Sequence, residues 1–246
     1  QKAFAEGGRA LCHFCALQLD IVKLSDDPAA REKADGLLQL LTPLAKGFLT
    51  EMGLESASLA IQVYGGHGYV TDNGVEQLYR DGRIATLYEG TTGIQSLDLL
   101  GRKVLGNQGK LLSIFTKRMY KYCLAATSPL AQTLLPYCKE WPELAMGIGM
   151  KALENPDEAG SAAYDFLMYS GYVSLAFMWL QMAEKSEHEL ANNTSNKHSA
   201  NFYHSKRKTA QFYFDRLLPR ANQHKSSLLT GSENLMAVDD DEWLFH

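Results

Sequence analysis

Residues 48–69 read FLTEMGLESASLAIQVYGGHGY and have the pattern of an amphipathic helix that stops at a glycine pair. One face of that helix carries Phe48, Met52, Ser56, Leu59 and Val63. Apolar residues at this spacing indicate a helix that buries one side. Gly65 and Gly66 follow, and glycine tolerates the left-handed backbone in which many helices end. The stretch therefore predicts a helix that packs against a core and ends sharply near residue 65.

The same helical spacing recurs on both sides of this stretch, and alternating strand-like runs are scarce. Residues 65–90, in contrast, are dotted with glycine and show no long helical period. Cap and turn signals predict helices at 1–24, from Asp27-Pro28, from Thr42-Pro43 to Gly65, from about Thr91 to Leu105, and at 110–126, 129–139, 142–154, 160–190 and 197–225. We predict an all-α fold, with a four-helix bundle over 1–108 and a second helical domain with an acidic tail over 109–246.

Bulk composition narrows the functional class. The apolar fraction of 46% supports a real core in a chain of 246 residues. A net charge of −4 argues against a general nucleic-acid binder, which needs a basic excess. No apolar run reaches the roughly 18 residues of a membrane span. Residue 1 is Gln inside a helix-like stretch, so we expect a fragment whose upstream residues are missing.

The cysteines point to reduced thiols. Cys12 and Cys15 form a C-x-x-C pair, but no second pair or Cys/His partner follows at the spacing of a zinc site. Cys123 and Cys138 stand alone. We expect structural thiols and no bound metal, with metal or redox use of the pair as the alternative. Reduced thiols fit a reducing compartment, and we expect the bacterial cytoplasm.

The end of the chain is divided by charge. The predicted helix 197–225 holds one acid and seven bases: Lys197, Lys206, Arg207, Lys208, Arg216, Arg220 and Lys225. The tail after it has no Lys or Arg and five acids: Glu233, Asp239, Asp240, Asp241 and Glu242. The simpler interpretation is a solvated helix with a tail that folds back on it. The alternative is a patch that meets the phosphates of a nucleotide-bearing substrate or an anionic partner.

Two glycine-containing segments, residues 62–69 and 88–95, carry the candidate chemistry. Clustered glycines allow a phosphate to approach the backbone closely. Thr91 is placed to cap a helix, and the free N–H groups at a helix start favour anions such as a pyrophosphate. Glu89 precedes that start, where the helix dipole favours its ionised form and burial would favour its protonated form. Taken singly, each motif is more simply explained as a helix end or a first-turn acid.

Taken together, the motifs resemble the acyl-CoA dehydrogenase family. Its C-terminal helical domain carries Q-x-x-G-G-x-G-[YF], then R-D-x-[RK]-I, then Y-E-G-T. This chain has Gln62 to Tyr69, Arg80 to Ile84 and Tyr88 to Thr91 in that order and spacing. The opening Lys2 to Ala10 also resembles a helix of that domain. Residues 110–246 resemble an extra helical extension of a bacterial subgroup, which ends in A-x-F-Y-x-x-x-x-L-P, here Ala210 to Pro219.

The resemblance implies an FAD enzyme that oxidises acyl-CoA to 2-enoyl-CoA. Glu89 would take the α-proton while the β-hydrogen leaves as hydride to the flavin, and Tyr88 and Gly90 would flank the thioester. The ADP half of FAD, often that of a neighbouring subunit, would meet Gln62, Val63, Tyr64, Gly65 and Gly66. Thr91, Thr92 and Gly93 would meet FAD at the helix start. Many members have Gln at the position of Gly93, so only backbone contact is expected there, with Gln95 as a weaker substitute.

The resemblance also implies which partners the enzyme has, and that this chain alone holds only part of the active site. The family works as a homodimer or homotetramer and passes electrons to electron-transfer flavoprotein or a similar acceptor. Its active site needs an N-terminal helical domain and a central β-domain, which this chain lacks, so we expect half a site: Glu89 present, flavin absent, and no activity alone.

Two alternatives keep the helical fold and change the function. One is an acyl-CoA oxidase, in which oxygen accepts the electrons. The other is a non-catalytic helical assembly module, which the presence of Glu89 disfavours because a degenerate member would be expected to lose the base. Some members place the base elsewhere in the helical domain. Glu6, beside Gly7 and Gly8, is the next candidate in that case.

Overall fold

The computed structural model describes residues 1–192, 198–235 and 237–243, and every regular element in those ranges is helical. The prediction of an all-α fold is therefore confirmed. The elements are α1 (Lys2–Leu24), α2 (Pro28–Pro43), α3 (Leu49–Tyr64), α4 (Gly66–Tyr69), α5 (Val75–Ile84), α6 (Thr92–Leu97), α7 (Lys110–Ala125), α8 (Pro129–Glu154), α9 (Asp157–Asn192), α10 (Ala200–Phe212) and α11 (Arg220–Leu228). Wider π-type turns occupy Leu44–Phe48, Asp98–Val104 and Tyr213–Leu217, and short 3-10 turns Thr71–Asn73, Leu105–Asn107 and Asp240–Trp243.

Several helix ends follow from local chemistry. The Asp27 side chain accepts a hydrogen bond from the amide of Ala29 at 2.9 Å, and Pro28 occupies the first turn of α2. This is the N-cap arrangement that the sequence predicts. At the other end of the first bundle, Gln108 and Gly109 adopt φ values of 58° and 74° and break the helix where the sequence predicts a break. Whether this break divides two domains stays a prediction.

The Thr42-Pro43 signal is a wrong helix start. Pro43 ends α2 without interrupting the chain's helical path, which continues through the Leu44–Phe48 turn into α3. Pro43 has no amide hydrogen, so one backbone hydrogen bond is lost. The backbone forms a π-type turn at this point, in which hydrogen bonds join residues five apart in sequence rather than four. Leu44 and Phe48 are completely buried, and their packing holds the widened turn in place.

Residues 129–139 and 142–154 are also not separate helices. They form the single helix α8, with Pro136 and Pro142 inside it. An internal proline costs about 3 kcal/mol. The same helix carries a buried stripe that includes Leu134, Trp141 and Ile148, of which Trp141 is fully buried, while Pro136 is exposed and Pro142 half-buried. Burial of that stripe outweighs the local penalty.

The glycine-dotted stretch 65–90 contains more helix than its pattern indicates. It includes α5, of which only Val75 is buried. Val75, Leu78 and Tyr79 do have helical spacing, but the run is only ten residues long, follows Gly74 and contains Gly82, so it is too short to predict a helix from the pattern alone.

The core is built around α9. Every residue from 166 to 180 is buried, because α9 packs against α1, α6, α8, α10, α11 and the Leu44–Phe48 turn. One continuous apolar cluster joins the two halves of the chain. The indole of Trp179 on α9 donates a hydrogen bond to the carbonyl of Ala3 on α1 at 3.1 Å. The extension therefore shares its core with the helices that carry the candidate site.

The basic helix at the end of the chain is α10, the Tyr213–Leu217 turn and α11. Lys197 lies outside the described residues. Four of the bases pair with other helices: Lys206 with Glu6 at 3.0 Å, Arg207 with Glu187 at 3.2 Å, Arg220 with Glu55 at 2.7 Å, and Lys225 with Glu140. Among the described residues, none of the tail acids forms an ion pair with this helix, so the structure shows no charge pairing between the tail and the basic helix there.

Within the described ranges, none of the helices combines the length and the apolar character required to cross a bilayer.

Candidate active site

The glycine pair ends α3 as the sequence predicts. Gly65 has φ 61° and ψ −142°, a backbone conformation open mainly to glycine. A Cβ built at Gly66 would have no atom within 4 Å, whereas one at Gly68 would lie 2.6 Å from the Ile61 carbonyl oxygen. Gly68 is thus required by packing within the chain. Gly65 and Gly66 instead leave their backbone open to an outside group.

The side chains beside the glycine pair face outward. Gln62 is exposed, and Val63 and Tyr64 are 79% and 56% exposed. The predicted apolar face of α3 is therefore buried at Phe48 and Met52 but not at Leu59 or Val63. Large apolar groups that project into solvent at one place commonly mark a contact surface. The predicted FAD contacts on α3 therefore lie together on an accessible face of the helix end.

Glu89 sits in a strained loop between α5 and α6. Its φ is 55°, in the left-handed region that non-glycine residues rarely adopt, and Gly90 follows with φ 89°. Such a residue costs about 1–3 kcal/mol and persists only where its surroundings hold it. Its carboxylate is exposed, and the neighbouring Tyr88 is 55% exposed. The loop presents Glu89 outward at an energetic cost.

Hydrogen bonds from three sides hold this loop. The Lys46 ammonium donates to the Gly90 carbonyl at 2.6 Å, and the Gln95 amide donates to the Glu89 carbonyl at 3.2 Å. The Thr92 hydroxyl donates to a carboxylate oxygen of Glu51 at 2.5 Å. These bonds fix the backbone at Glu89 and just after it, and before it the amide of Tyr88 donates to the Ile84 carbonyl at 3.1 Å.

The start of α6 is capped as predicted. The Thr91 hydroxyl accepts from the amide of Ile94 at 3.3 Å, and Thr91 and Gly93 are exposed. Thr92 differs from them: it is buried, its hydroxyl is used by Glu51 and its amide by the Thr86 carbonyl. In this geometry Thr92 and Gln95 brace the loop, and Thr91 and Gly93 remain on its outer side.

The two motifs lie at opposite ends of α3. Lys46, just before α3, contacts the Glu89 loop, and Gln62 lies 16 residues later. At 1.5 Å per residue this is about 24 Å along the helix. A ligand that met both motifs of one chain would have to span that distance. Otherwise the motifs belong to two different ligands.

The alternative base, Glu6, is already engaged. Burial opposes its ionisation, but hydrogen bonds from Lys2 and Lys206 hold the pKa of Glu6 below its ordinary value. Both ion pairs measure 3.0 Å. A carboxylate with two cationic partners is a poor proton acceptor, so this geometry favours Glu89 over Glu6 as a base.

The cysteine pair shows no reactive thiolate at Cys15. Burial, and then the nearby Cys12, raise the pKa of Cys15 to about 11, so this thiol stays protonated at neutral pH. In the described part of the chain no three His, Cys, Asp or Glu side chains converge as metal ligands would.

The sequence does not reveal the residues that brace the loop. Lys46 and Glu51 lie 44 and 41 residues from their partners, beyond any local pattern. One signal was available: Lys46 is the single charge in the otherwise apolar or glycine stretch 44–48, where a charge needs a partner.

Comparison with known proteins matches nearly the whole chain. A family model described as "Acyl-CoA dehydrogenase, C-terminal domain" matches residues 5–105, and one described as "Acetyl-CoA dehydrogenase C-terminal like" matches residues 115–239. A 3-methylmercaptopropionyl-CoA dehydrogenase of Ruegeria pomeroyi is 33% identical over 96% of this chain and 40% of its own length.

Two further relatives carry related names. A broad-specificity linear acyl-CoA dehydrogenase, FadE5, of Mycobacterium tuberculosis is 27% identical over 98% of this chain and 41% of its own length. A butyryl-CoA dehydrogenase of Syntrophomonas wolfei is 26% identical over 89% of this chain and 37% of its own length. The chain thus spans about two fifths of the length of these relatives.

Proposed function

This chain belongs to the acyl-CoA dehydrogenase family, and from that membership we propose that it supplies the catalytic base, Glu89, to an enzyme that oxidises acyl-CoA to 2-enoyl-CoA. The observation that carries the proposal is the strained, braced loop of Glu89. Strained backbone that the surroundings enforce clusters at active sites. The loop also matches the family's Y-E-G-T motif residue by residue.

Glu89 removes the α-proton of the thioester in this scheme. An exposed carboxylate on a fixed backbone can be aimed at one carbon, and a positioned general base contributes about 10²–10⁴-fold. Tyr88 and Gly90 flank the thioester and orient it. When FAD is bound, it supplies the oxidising centre that accepts the β-hydrogen as hydride.

The open backbone at two places fits FAD. Gly65 and Gly66 have no atoms of this chain over them, and Gln62, Val63 and Tyr64 stand exposed beside them. We propose that this end of α3 holds the ADP half of FAD. Thr91 and Gly93, at the capped start of α6, meet FAD through exposed groups, while Thr92 and Gln95 support them from below.

The separation of the two motifs along α3 favours a homodimer or homotetramer. In such an assembly the Gln62–Gly66 end of one subunit contacts the FAD whose flavin meets Glu89 of the other. The physiological acceptor in this proposal is electron-transfer flavoprotein or a similar protein, and the location is the bacterial cytoplasm, in line with the four free cysteines.

The full-length protein tests this function directly. It should be purified yellow, and anaerobic mixing with a panel of straight-chain acyl-CoA thioesters should bleach the visible flavin band. Air should reoxidise the reduced flavin only slowly, so aerobic mixing without another electron acceptor should sustain little turnover and little hydrogen peroxide; rapid aerobic turnover with one peroxide per acyl-CoA oxidised would instead identify an oxidase. A colourless protein that binds no added FAD would support the assembly-module alternative.

Gly66→Val should lower FAD occupancy in the full-length protein without unfolding it. The valine side chain has free space within this chain, so any loss arises from the backbone that FAD approaches. Gly147→Val is a matched control, because Gly147 on α8 is equally open and lies outside the site. Occupancy follows from the ratio of flavin to protein absorbance. Equal occupancy in both variants would leave Gly66 with a role in the helix end alone.

A further inference from the structure

The Leu44–Phe48 turn carries a single charged side chain, and that side chain reaches the Glu89 loop. Lys46 is partly buried, and its ammonium donates to the Gly90 carbonyl at 2.6 Å. The same ammonium lies 6.0 Å from the centre of the Tyr88 ring. Lys46 therefore contacts the residues on both sides of Glu89, although 43 residues of sequence separate it from that glutamate.

Close packing fixes the turn against two other helices. A Cβ at Gly47 would lie 2.8 Å from a methyl of Leu167 on α9 and 3.1 Å from the Cβ of Gln95 on α6. The Phe48 ring lies directly on Gly171 of α9, where any Cβ would overlap it. The absence of side chains at Gly47 and Gly171 lets α9 and α6 close on the turn.

We propose that Lys46 is a positioning residue that holds the Glu89 loop in its left-handed conformation, and that α9 of the extension supports it through the Leu44–Phe48 turn. An ammonium–carbonyl bond is charge-assisted and short, so it fixes the Gly90 peptide firmly. Together with the Gln95 bond to the Glu89 carbonyl, which holds the peptide between Glu89 and Gly90, this bond restricts Glu89, whose φ of 55° needs an external constraint. The inference rests on the proposed role of Glu89, and it gives the extension a part in catalysis.

The test uses the full-length, FAD-bound protein and three variants. Lys46→Met keeps the length of the side chain and removes the donor; Lys46→Arg keeps a donor. Lys208→Met, at an exposed lysine of α10, is the matched control. Flavin reduction by acyl-CoA should be about 10–100-fold slower in Lys46→Met, which is the effect of losing one charged hydrogen bond. The acyl-CoA concentration that gives half the maximal reduction rate should stay within about threefold of the wild-type value, and so should the FAD occupancy.

Hydrogen–deuterium exchange provides a readout independent of turnover. Exchange of amides in residues 86–95 should be faster in Lys46→Met and near wild type in Lys208→Met, because the released loop opens more often. Lys46→Arg should recover most of the rate and protection. The proposal would be overturned if Lys46→Met lost flavin or thermal stability but kept the wild-type reduction rate per flavin. Wild-type amide exchange in Lys46→Met would also overturn it, and so would a Lys46→Arg variant as slow as Lys46→Met.

The double variant separates this inference from the function on which it rests. If Lys46 acts through Glu89, then Glu89→Gln with Lys46→Met should reduce flavin no more slowly than Glu89→Gln alone. A wild-type rate of flavin reduction in Glu89→Gln would show that Glu89 is not the base. Amide exchange in residues 86–95 would still show whether Lys46 holds the loop. A slow Glu89→Gln beside a Lys46→Met variant with wild-type rate and exchange would defeat the positioning role alone.

Discussion

Glu89→Gln in the full-length protein should slow flavin reduction by acyl-CoA about 10²-fold or more, which is what loss of a positioned general base costs. Glutamine has nearly the same shape but cannot accept the α-proton as a carboxylate does. The measurement is anaerobic stopped-flow mixing with acyl-CoA, followed by the bleaching of the visible flavin band. FAD occupancy and acyl-CoA binding should be retained, since neither depends mainly on this charge.

Two control substitutions test whether the slower flavin reduction is specific to the loss of Glu89. Glu76→Gln changes an acid in the first turn of α5, and Glu6→Gln changes the alternative base. Both should reduce flavin at close to the wild-type rate. Glu6 is held by Lys2 and Lys206, so its loss should affect packing between α1 and α10 rather than proton transfer. Wild-type bleaching in Glu89→Gln together with a slow Glu6→Gln would move the base to α1.

Local patterns in the sequence predict most of the helices and both motifs. The Asp27 cap, the Gly65 helix end and the Thr91 cap are short-range features, and a cap or a glycine acts within one turn. The errors occur where distant packing overrides such local signals. Pro43 and Pro142 look like boundaries, but the helical path continues through both because the side chains around them are buried against other helices.

The residues of the candidate site likewise include some that local motifs predict and some that they do not. Residues 62–66 and 88–93 are found from their own motif, because the chemistry of a glycine-rich helix end is local. The braces are not, since Lys46 and Glu51 acquire their roles only when the bundle closes and brings them to Gly90 and Thr92. A motif can therefore identify a base, but it does not reveal what keeps the base in place.

Gly171→Ala should destabilise the 246-residue chain by about 2 kcal/mol, although alanine is the better helix former by about 1 kcal/mol. The added methyl would overlap the ring of Phe48, which is fully buried and packs edge-on against Tyr172 at 5.0 Å between ring centres. Neither ring has room to move, so overpacking exceeds the gain in helix propensity. Gly147→Ala is the matched control in α8, where a Cβ meets no atom within 4 Å.

The two substitutions should shift stability in opposite directions. Gly147→Ala should raise the free energy of unfolding by about 0.5–1 kcal/mol, and Gly171→Ala should lower it, with a loss of about 4–8 °C in Tm. Urea and thermal unfolding followed by circular dichroism measure both. Displacing Phe48 also moves the turn that carries Lys46, so in the FAD-bound protein Gly171→Ala should speed amide exchange in residues 86–95. A stabilised Gly171→Ala chain would contradict the close contact between α9 and this turn, and with it the route by which the extension supports Glu89.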